Sequence, residues 1–420
     1  MYRALRGTAD ILPEDQAYWR YVERVAASLF SRYGYQRIDT PILEDYGLFV
    51  RGVGKATDIV EKEMYSITDK GGDIIALRPE ATASVCRAYL QHGMHNRSQP
   101  VRLYSVSAPM FRYSRPQAGR LRQFHQLNVE ALGDADPAVD AEMVALSWHL
   151  FQELGLKGLS IQMNSIGDGA CRPGYIGALK DYYSQHRDRV CRECRARLER
   201  NPLRLLDCKE EVCQPLIAGA PHSTDHLCEE CQEHFRDLTR YLELMEVPTS
   251  LDHRLVRGLD YYTRTVFEVI SAYEGAQNAL AGGGRYDGLI EELGGKPTPG
   301  IGFAVGIERV ILHLRGQEVE PPPLPSPRVL VAFVGKEAKA EAVKITSRLL
   351  RGGVAAILAP AGKSLKAQLR QAGTLRVPYV LILGEQELRR GIATLRDMGR
   401  GEQREIPREE VLKELASSGL

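Results

Sequence analysis

A run of prolines near residue 320 places the strongest constraint on how this chain of 420 residues can fold. Five prolines fall within the seven residues from Pro321 to Pro327. Proline has no backbone N–H and a fixed φ, so such a run can neither continue a helix nor supply donors to a sheet. The stretch 317–327 is therefore predicted to be a semi-rigid linker between two domains, 1–325 and 328–420.

The segment after the linker alternates between strand and helix patterns. Residues 328–334 form a nearly continuous apolar run, typical of a strand covered on both faces. Helix patterns at 336–350 and 364–372 alternate with strand patterns at 354–358, 379–383 and 392–397. This order predicts a small α/β domain.

The segment before the linker has a different pattern. Residues 14–33 place apolar side chains at helical spacing, and Gly34 ends this helix. Short strand patterns at 36–41, 64–67, 101–104 and 265–271 indicate an antiparallel sheet with helices on one side, and so an α+β domain. The charged, cysteine-bearing stretch 168–245 is mostly helical in pattern and is predicted to be an insertion.

Charge and hydropathy exclude some classes of protein. Lys and Arg total 55 against 54 for Asp and Glu, so contact with nucleic acid must depend on local patches. No apolar run approaches the ~18 residues of a transmembrane helix. The N-terminus is polar and carries acids, unlike a secretory signal. A cytoplasmic location is expected, in which the eight cysteines stay reduced.

The stretch 110–130 is the most distinctive motif. A turn that contains proline and glycine carries four arginines within eleven residues, namely Arg112, Arg115, Arg120 and Arg122, and an alternating segment follows it. The guanidinium group offers a planar fork of donors that matches phosphate and carboxylate oxygens. Two strands joined by this turn fit a polyphosphate clamp, and they also fit a solvated basic hairpin. This stretch by itself leaves both interpretations open.

Two other segments carry side chains suited to a ligand. Glu80 and Thr82 fit an ammonium group, but an acid at this place also fits the first turn of a helix. Arg257 precedes Tyr261 and Tyr262, whose hydroxyls suit a polar ring, although a half-buried strand would have the same pattern. Local pattern therefore decides neither case.

Two glycine-rich segments, 281–288 and 300–306, lie before the linker. Their glycines allow backbone amides to approach an anion or an aromatic base closely. Neither segment matches a Walker loop or a dinucleotide fingerprint, since Val305 stands where the last glycine should be. A kinase or dehydrogenase function thus receives no support.

Taken together, these segments resemble the class II aminoacyl-tRNA synthetases, and closely the histidyl-tRNA synthetase family. The helix that ends within 33–41 resembles motif 1, the stretch 110–130 resembles motif 2, and 300–309 resembles motif 3. The segments 257–262 and 281–286 resemble those specific to the histidine enzymes. The resemblance implies a class II catalytic domain at 1–325, an anticodon-binding α/β domain at 328–420 and a homodimer.

The resemblance also implies a histidine–tRNA ligase. Such an enzyme activates L-histidine with ATP and Mg²⁺ to histidyl-adenylate and pyrophosphate, and transfers histidine to the 3′ end of tRNA(His). Arg112 and Arg257 would be catalytic, on opposite sides of the α-phosphate. Histidine would be bound by Glu80, Thr82, Arg112, Gln126, Glu130, Arg257, Tyr261, Tyr262 and Tyr286. ATP would be bound by Arg112, Arg120 and Arg309. Arg115 and Gln117 would contact the acceptor end of the tRNA.

One position departs from the family pattern. Family members commonly have a glutamate two residues after the motif 2 arginine, where this chain has Ser114. A serine hydroxyl is shorter and uncharged. The substitution predicts a modestly altered affinity for ATP and no loss of function.

The cysteines of the predicted insertion suggest a metal site. Two CxxC pairs, Cys191 with Cys194 and Cys228 with Cys231, resemble a structural zinc site. Cys208 and Cys213 are alternative ligands, and packing of reduced thiols is the alternative to metal binding. The ten histidines show no HExxH spacing, so a hydrolytic zinc site receives no support.

Three rival functions fit less well. The regulatory subunit of ATP phosphoribosyltransferase is a non-catalytic paralogue that lacks the C-terminal domain, whereas this chain keeps that domain together with Arg112, Arg257 and Arg309. A class II synthetase for another amino acid does not explain the segment 257–262. A plain nucleic-acid-binding protein does not explain the set of arginines.

Overall fold

The computed structural model describes residues 2–54, 57, 59–117, 120–273 and 278–417. Residues 118 and 119 of the arginine-rich turn and residues 418–420 of the predicted C-terminal domain lie outside this set. The chain divides into two units, Met1–Pro322 and Pro323–Leu420, so the division falls in the proline-rich stretch. Across the described ranges, no helix has both the length and the apolar composition needed to span a membrane.

The N-terminal unit contains both strands and helices. The strands are β1 (Gln36–Arg37), β2 (Leu43–Asp45), β3 (Tyr65–Thr68), β4 (Ile74–Leu77), β5 (Val101–Phe111), β6 (Gln123–Leu132), β7 (Leu159–Ser165), β8 (Thr249–Leu251), β9 (Thr263–Ser271), β10 (Ala279–Arg285) and β11 (Gly300–Gly306). The helices are α1 (Gln16–Arg32), α2 (Tyr46–Gly52), α3 (Thr82–Gln91), α4 (Pro137–Glu153), α5 (Arg172–Ser184), α6 (Arg192–Arg200), α7 (Gln214–Ala218), α8 (Glu229–Leu244), α9 (Leu289–Glu292) and α10 (Ile307–Gly316).

An eight-stranded sheet organises this unit, in the order β1–β5–β6–β11–β10–β9–β7–β8. All neighbouring pairs are antiparallel except β1 with β5 and β7 with β8, at the two edges. The predicted antiparallel sheet is therefore confirmed. Strands β2, β4 and β3 form a separate three-stranded sheet.

Helices cover both faces of the large sheet. On one face, α1, α4, α8 and α10 bury their apolar side chains against the strands. Successive strand residues point to opposite faces, so Leu103 and Leu132 point away from that layer, and they pack with Val85 and Tyr89 of α3. The expectation of helices on one side is thus wrong, because α3 and α9 cover part of the second face.

The stretch 168–245, predicted as a helical insertion, contains α5 to α8 between strands β7 and β8. It has a small core of its own, to which Tyr175, Leu179, Tyr183 and Leu198 contribute. Helix α8 in addition packs its Leu238 and Leu242 into the main core. The insertion therefore has its own small core, and its helix α8 also packs against the core of the large sheet.

The C-terminal unit is an α/β structure, as predicted. Its strands are β12 (Val329–Phe333), β13 (Ala356–Leu358), β14 (Tyr379–Leu383), β15 (Ile392–Asp397) and β16 (Gln403–Pro407), and its helices are α11 (Lys336–Arg351), α12 (Leu365–Thr374), α13 (Glu385–Arg390) and α14 (Val411–Ser417). The sheet order is β13–β12–β14–β15–β16, parallel in its first three strands and antiparallel beyond. Strand β16 was not predicted, because it lies at the sheet edge and buries only Ile406.

Candidate active site

The candidate site lies on the second face of the sheet, where β10 and β11 are rich in glycine. A Cβ atom at Gly302 would overlap the carboxyl group of Glu130, and one at Gly282 would overlap the guanidinium group of Arg257. Glycine at these positions lets both side chains lie flat across the strands. The glycine-rich segments therefore provide room for neighbouring functional side chains.

Buried acids and a threonine form one end of the site. Glu130, on β6, accepts a hydrogen bond of 2.7 Å from the Thr82 hydroxyl and another from the Tyr286 hydroxyl. Glu80 accepts hydrogen bonds from the backbone N–H groups of Thr82 (2.8 Å) and Ala83 (2.9 Å). Glu80 therefore holds the first turn of α3, as the helix-turn interpretation proposed, and at the same time lies beside Thr82.

Desolvation shifts the pKa values at this end of the site. Burial raises the pKa of Glu130 to about 8, although the hydrogen bonds from Tyr286 and Thr82 favour its charged form. Burial also raises the pKa of Glu80, against the two backbone hydrogen bonds and the charge of Arg112. Such shifts are common where acids take part in binding or catalysis.

Three tyrosines enclose the same end. The ring centroids of Tyr261 and Tyr262 are 4.7 Å apart, and Tyr261 contacts Tyr286 edge to face at 5.7 Å. All three side chains are buried. Together with Glu130 they form a compartment with apolar walls and hydroxyl groups.

A cavity of about 290 Å³ forms the other end of the site. Its lining contains four arginines, of which Arg112 and Arg120 come from the arginine-rich stretch and Arg257 and Arg309 from segments much further along the chain. Gln126 also lines it, and the Gln126 Oε1 atom is buried without a hydrogen-bond partner among the residues that the structure describes. The cavity thus combines clustered positive charge with a buried acceptor atom.

Each arginine of the cavity is held by a neighbour. Arg112 donates to the carbonyl oxygen of Pro79 at 2.9 Å, and Arg309 donates to that of Ala279 at 3.0 Å. Burial lowers the pKa of Arg112, and burial together with the charges of Arg112 and Arg120 lowers that of Arg309. Each buried positive charge destabilises the charged form of its neighbours, so an anion bound between these arginines is favoured.

Two acids pair with the remaining arginines. Arg257 forms an ion pair with Glu268, and Arg120 forms one of 2.6 Å with Glu63. Burial by itself would lower the pKa of Arg257, but Tyr262 and Glu268 outweigh it and the pKa is raised. These pairs orient the guanidinium groups in advance of a ligand.

Several residues of this lining were not predicted as site residues, and three of them lie against its arginines. Glu63 and Glu268 pair with arginines of the cavity, and Phe124 lies under Arg112, whose Cζ atom is 5.7 Å from the ring centroid. Only Glu268 gave a signal, as a single acid within the otherwise apolar centre of β9. Glu63 meets Arg120 only because segments 57 residues apart come together, whereas Phe124 lies on β6, in the same strand–turn–strand stretch as Arg112.

Some predicted residues lie elsewhere. Arg115 and Gln117 are exposed on the arginine-rich turn and do not line the cavity. Ser114 does line it, and its buried hydroxyl has no hydrogen-bond partner in the described part of the chain. The tRNA contact of the turn stays a prediction.

The predicted zinc ligand set is wrong in its pairing. Cys191 and Cys194 do not meet the second CxxC pair; they lie instead with Cys208 and Cys213, which the sequence suggested as alternative ligands. The second pair lies in a separate group with Asp168 and Cys171, so that group consists of Asp168, Cys171, Cys228 and Cys231. The separate core of the insertion keeps the two CxxC pairs apart.

The sheet, its glycine-rich strands and the arginine-lined cavity define the class of the molecule, which has the fold of the class II aminoacyl-tRNA synthetases. Residues 7–167 and 199–310 match the family model for histidyl-tRNA synthetase, and residues 328–418 match that for an anticodon binding domain. The chain belongs to the histidyl-tRNA synthetase family.

Individual relatives agree over the whole chain. The chain is 53% identical over 415 residues to the histidine–tRNA ligase of Dehalococcoides mccartyi, covering 99% of each protein. It is 49% identical over 407 residues to that of Desulforamulus reducens, covering 97% of each. The crystal structure of apo S. aureus histidyl-tRNA synthetase has a TM-score of 0.84 and 37% identity, and covers 99% of this chain and 100% of that one.

Proposed function

We propose that this chain is a histidine–tRNA ligase, which activates L-histidine with ATP and transfers it to the 3′ end of tRNA(His). The proposal rests on one observation: two adjoining binding compartments lie on the same face of the large sheet. The cavity with four arginines suits a polyphosphate, and the buried compartment of Glu130 and the tyrosines suits a small polar ring. Arg257 links them, because its Cζ atom lies 5.9 Å from the Tyr262 ring.

The arginines would act on the reacting phosphate. A carboxylate oxygen of histidine attacks the α-phosphorus, an acyl–phosphate bond forms, and the bond to the β-phosphate oxygen breaks to release pyrophosphate. Negative charge grows on the oxygens around the α-phosphorus during this step, so cations fixed beside it stabilise the transition state. Arg112 and Arg257 are the arginines proposed for this role, with Arg120 and Arg309 toward the rest of ATP. Mg²⁺ enters with ATP as part of the substrate.

The buried compartment would select histidine. Imidazole offers one donor and one acceptor, and Glu130 together with Tyr262 can match both. The α-amino group would lie between Glu80, Thr82 and Gln126, and the unpaired Oε1 atom of Gln126 is an acceptor suited to it. Tyr261 and Tyr286 would close the compartment, since their rings pack edge to face.

The remaining parts of the proposal concern larger partners. The exposed residues Arg115 and Gln117 are proposed to contact the acceptor end of the tRNA. The C-terminal unit is proposed to bind the anticodon, in line with its match to an anticodon-binding family. Helix α1 carries the motif 1 resemblance and is proposed to contribute to a homodimer, and we place the enzyme in the cytoplasm, where tRNA is used.

Exchange of labelled pyrophosphate into ATP tests the activation step. We expect exchange that depends on L-histidine and on none of the other standard amino acids. Arg257→Ala should reduce the rate by about 10²-fold or more, as expected for loss of a group that stabilises the transition state. Arg236→Ala is the matched control, because Arg236 is an exposed arginine whose partner is Glu233 on the same helix.

Two results would contradict the proposal. Exchange that depends on a different amino acid would show that the chain is an aminoacyl-tRNA synthetase but that L-histidine is not its substrate. Absence of exchange with every amino acid, in a folded protein, would favour a regulatory subunit without catalytic activity.

A further inference from the structure

Seven of the eight cysteines gather in two groups within or beside the insertion. The first group is Cys191, Cys194, Cys208 and Cys213; the second is Asp168, Cys171, Cys228 and Cys231. Within each group the ligand atoms, one from each residue, all lie within 4.8 Å of one another. The remaining cysteine, Cys86, is a buried residue of α3 and belongs to neither group.

The spacing fits a shared cation. The Sγ atoms of Cys191 and Cys208 are 3.9 Å apart. Four sulfurs at about 2.3 Å from a tetrahedral zinc ion are separated by about 3.8 Å, whereas a disulfide joins its sulfurs at about 2.05 Å. All eight cysteines are free. Four thiols around one point are therefore placed as zinc ligands.

The first cysteine of each CxxC pair has the same backbone conformation at the start of a helix. Cys191 directly precedes α6 with φ −63° and ψ 165°, and Cys228 directly precedes α8 with φ −68° and ψ 165°. The backbone N–H of Cys194 points at the Cys191 sulfur over 3.4 Å, and that of Cys191 points at the Cys213 sulfur over 3.3 Å. Such N–H···S contacts stabilise negative sulfur, which is the form that binds metal.

In the second group, a residue outside the group, Arg264, orients the carboxylate of Asp168. Its Oδ1 atom lies 3.6 Å from the Cys171 sulfur, while its Oδ2 atom lies 3.3 Å from the guanidinium group of Arg264. One oxygen therefore faces the thiols and the other is held by a cation. This division is common where a carboxylate binds a metal ion and a second residue fixes its orientation.

We propose that the chain binds two structural zinc ions, one in each of these groups. The first site, with four cysteines, lies wholly inside the insertion and ties α6 to the segment that precedes α7. The second site, with three cysteines and Asp168, joins the two ends of the insertion, because Asp168 and Cys171 follow β7 and the other two ligands begin α8. Packing of reduced thiols alone does not explain why the ligand atoms of four residues gather around one point in each group.

The second site also lies next to the histidine compartment. Arg172, which follows Cys171, donates to the backbone carbonyl of Tyr262, and the backbone of Arg264 pairs with that of Ile166 and Gly167 at 2.8 Å. A metal ion there would anchor the base of the insertion beside the strand that begins after Tyr262. Its proposed role is structural, and no step of the reaction depends on it.

Metal analysis of the full chain tests the proposal. Protein produced with zinc in the medium and purified without chelator or a metal-affinity column is expected to contain two zinc ions per chain. Replacing Cys208 and Cys213 together by Ser should lower the content to one, and so should replacing Cys171 and Cys228 together. Cys86→Ser is the matched control and should retain two. A wild-type content of one ion or none overturns the proposal, as does a double variant that keeps both ions.

A second measurement does not depend on the folding of variants. In the native wild-type chain, the seven clustered thiols should react with a thiol reagent only when a chelator removes zinc. Their reaction should coincide with the release of two zinc ions per chain. Under denaturing conditions without reductant all eight thiols should react. Fewer reactive thiols would identify a disulfide, and thiols that react before zinc leaves would identify simple packing; either result overturns the proposal.

Discussion

The hydroxyl of Thr82 donates a hydrogen bond of 2.7 Å to Glu130 and so joins the first residue of α3 to strand β6. Tyr286 donates to the other oxygen of the same carboxyl group. Both oxygens of this buried group are therefore engaged within the protein. The compartment proposed for histidine is organised before a ligand enters, which lowers the cost of ordering it on binding.

Thr82→Val is expected to raise the KM for histidine about tenfold. Valine keeps the shape of threonine but leaves one oxygen of Glu130 without its donor, and an unpaired buried acceptor costs about 1–3 kcal/mol. Histidine-dependent pyrophosphate exchange measures the effect. Thr374→Val, at an exposed threonine of α12, is the control. An unchanged KM in Thr82→Val would contradict the proposed role.

Glu130 is expected to make the stability of the chain depend on pH. Burial raises its pKa from an ordinary 4.5 to about 8, so between these values the folded chain holds a proton that the unfolded chain has released. The unfolding free energy should fall as the pH rises through this window, relative to Glu130→Gln, and should be independent of this group below about pH 4.5. Urea unfolding at several pH values measures the difference.

The control for this prediction is Glu243→Gln, at an exposed carboxyl group of α8. The difference between wild type and Glu243→Gln should stay nearly constant over the same pH range. A constant difference for Glu130→Gln as well would mean that the carboxyl group of Glu130 is not desolvated.

Ser114→Glu is expected to lower the KM for ATP by about fivefold and to leave the KM for histidine unchanged. The Ser114 hydroxyl is buried in the lining of the arginine cavity, and glutamate adds a charged acceptor for the nucleotide that is worth about 1 kcal/mol. Steady-state exchange at varied ATP measures it, with Ser66→Glu on exposed β3 as the control. Equal KM values for ATP in wild type and Ser114→Glu would sink the idea.

Arg285→Met is expected to lower the unfolding free energy by about 3–5 kcal/mol. Arg285 forms a fully buried ion pair with Asp140, and its loss leaves an uncompensated charge in the core. Adding Asp140→Leu to the same chain should recover much of the loss, since the remaining charge is then removed. Urea unfolding distinguishes these outcomes; Arg236→Met, at an exposed arginine, should change little.

Local pattern predicted much of the secondary structure. Strand β14 was predicted with its observed bounds, and α11 within one residue at its end. Both follow from periodicity that is carried by neighbouring residues. Strand β16 and helix α13 were not predicted, because their residues are largely exposed and carry no strong apolar period. Helix α14 was also not predicted, although it buries Val411 and Leu415 in the core of the C-terminal unit.

The contacts between individual side chains were harder to predict from the sequence. Resemblance to a family identified the four arginines of the cavity, but nothing in the sequence paired Arg120 with Glu63, 57 residues away. The cysteines are the clearest case. CxxC spacing indicated metal ligands, yet the choice of the other ligands depended on how the insertion folds.

The sequence by itself determined the two-part organisation, most helices and strands and the chemistry available to a site, because each depends on a residue and its near neighbours. Tertiary structure alone decided which groups meet. It brought Asp140 to Arg285 across 145 residues, set Glu130 between Thr82 and Tyr286, and divided the cysteines into two groups. Such contacts depend on the path of the whole chain, since a side chain's burial and partners come from segments that local periodicity does not describe.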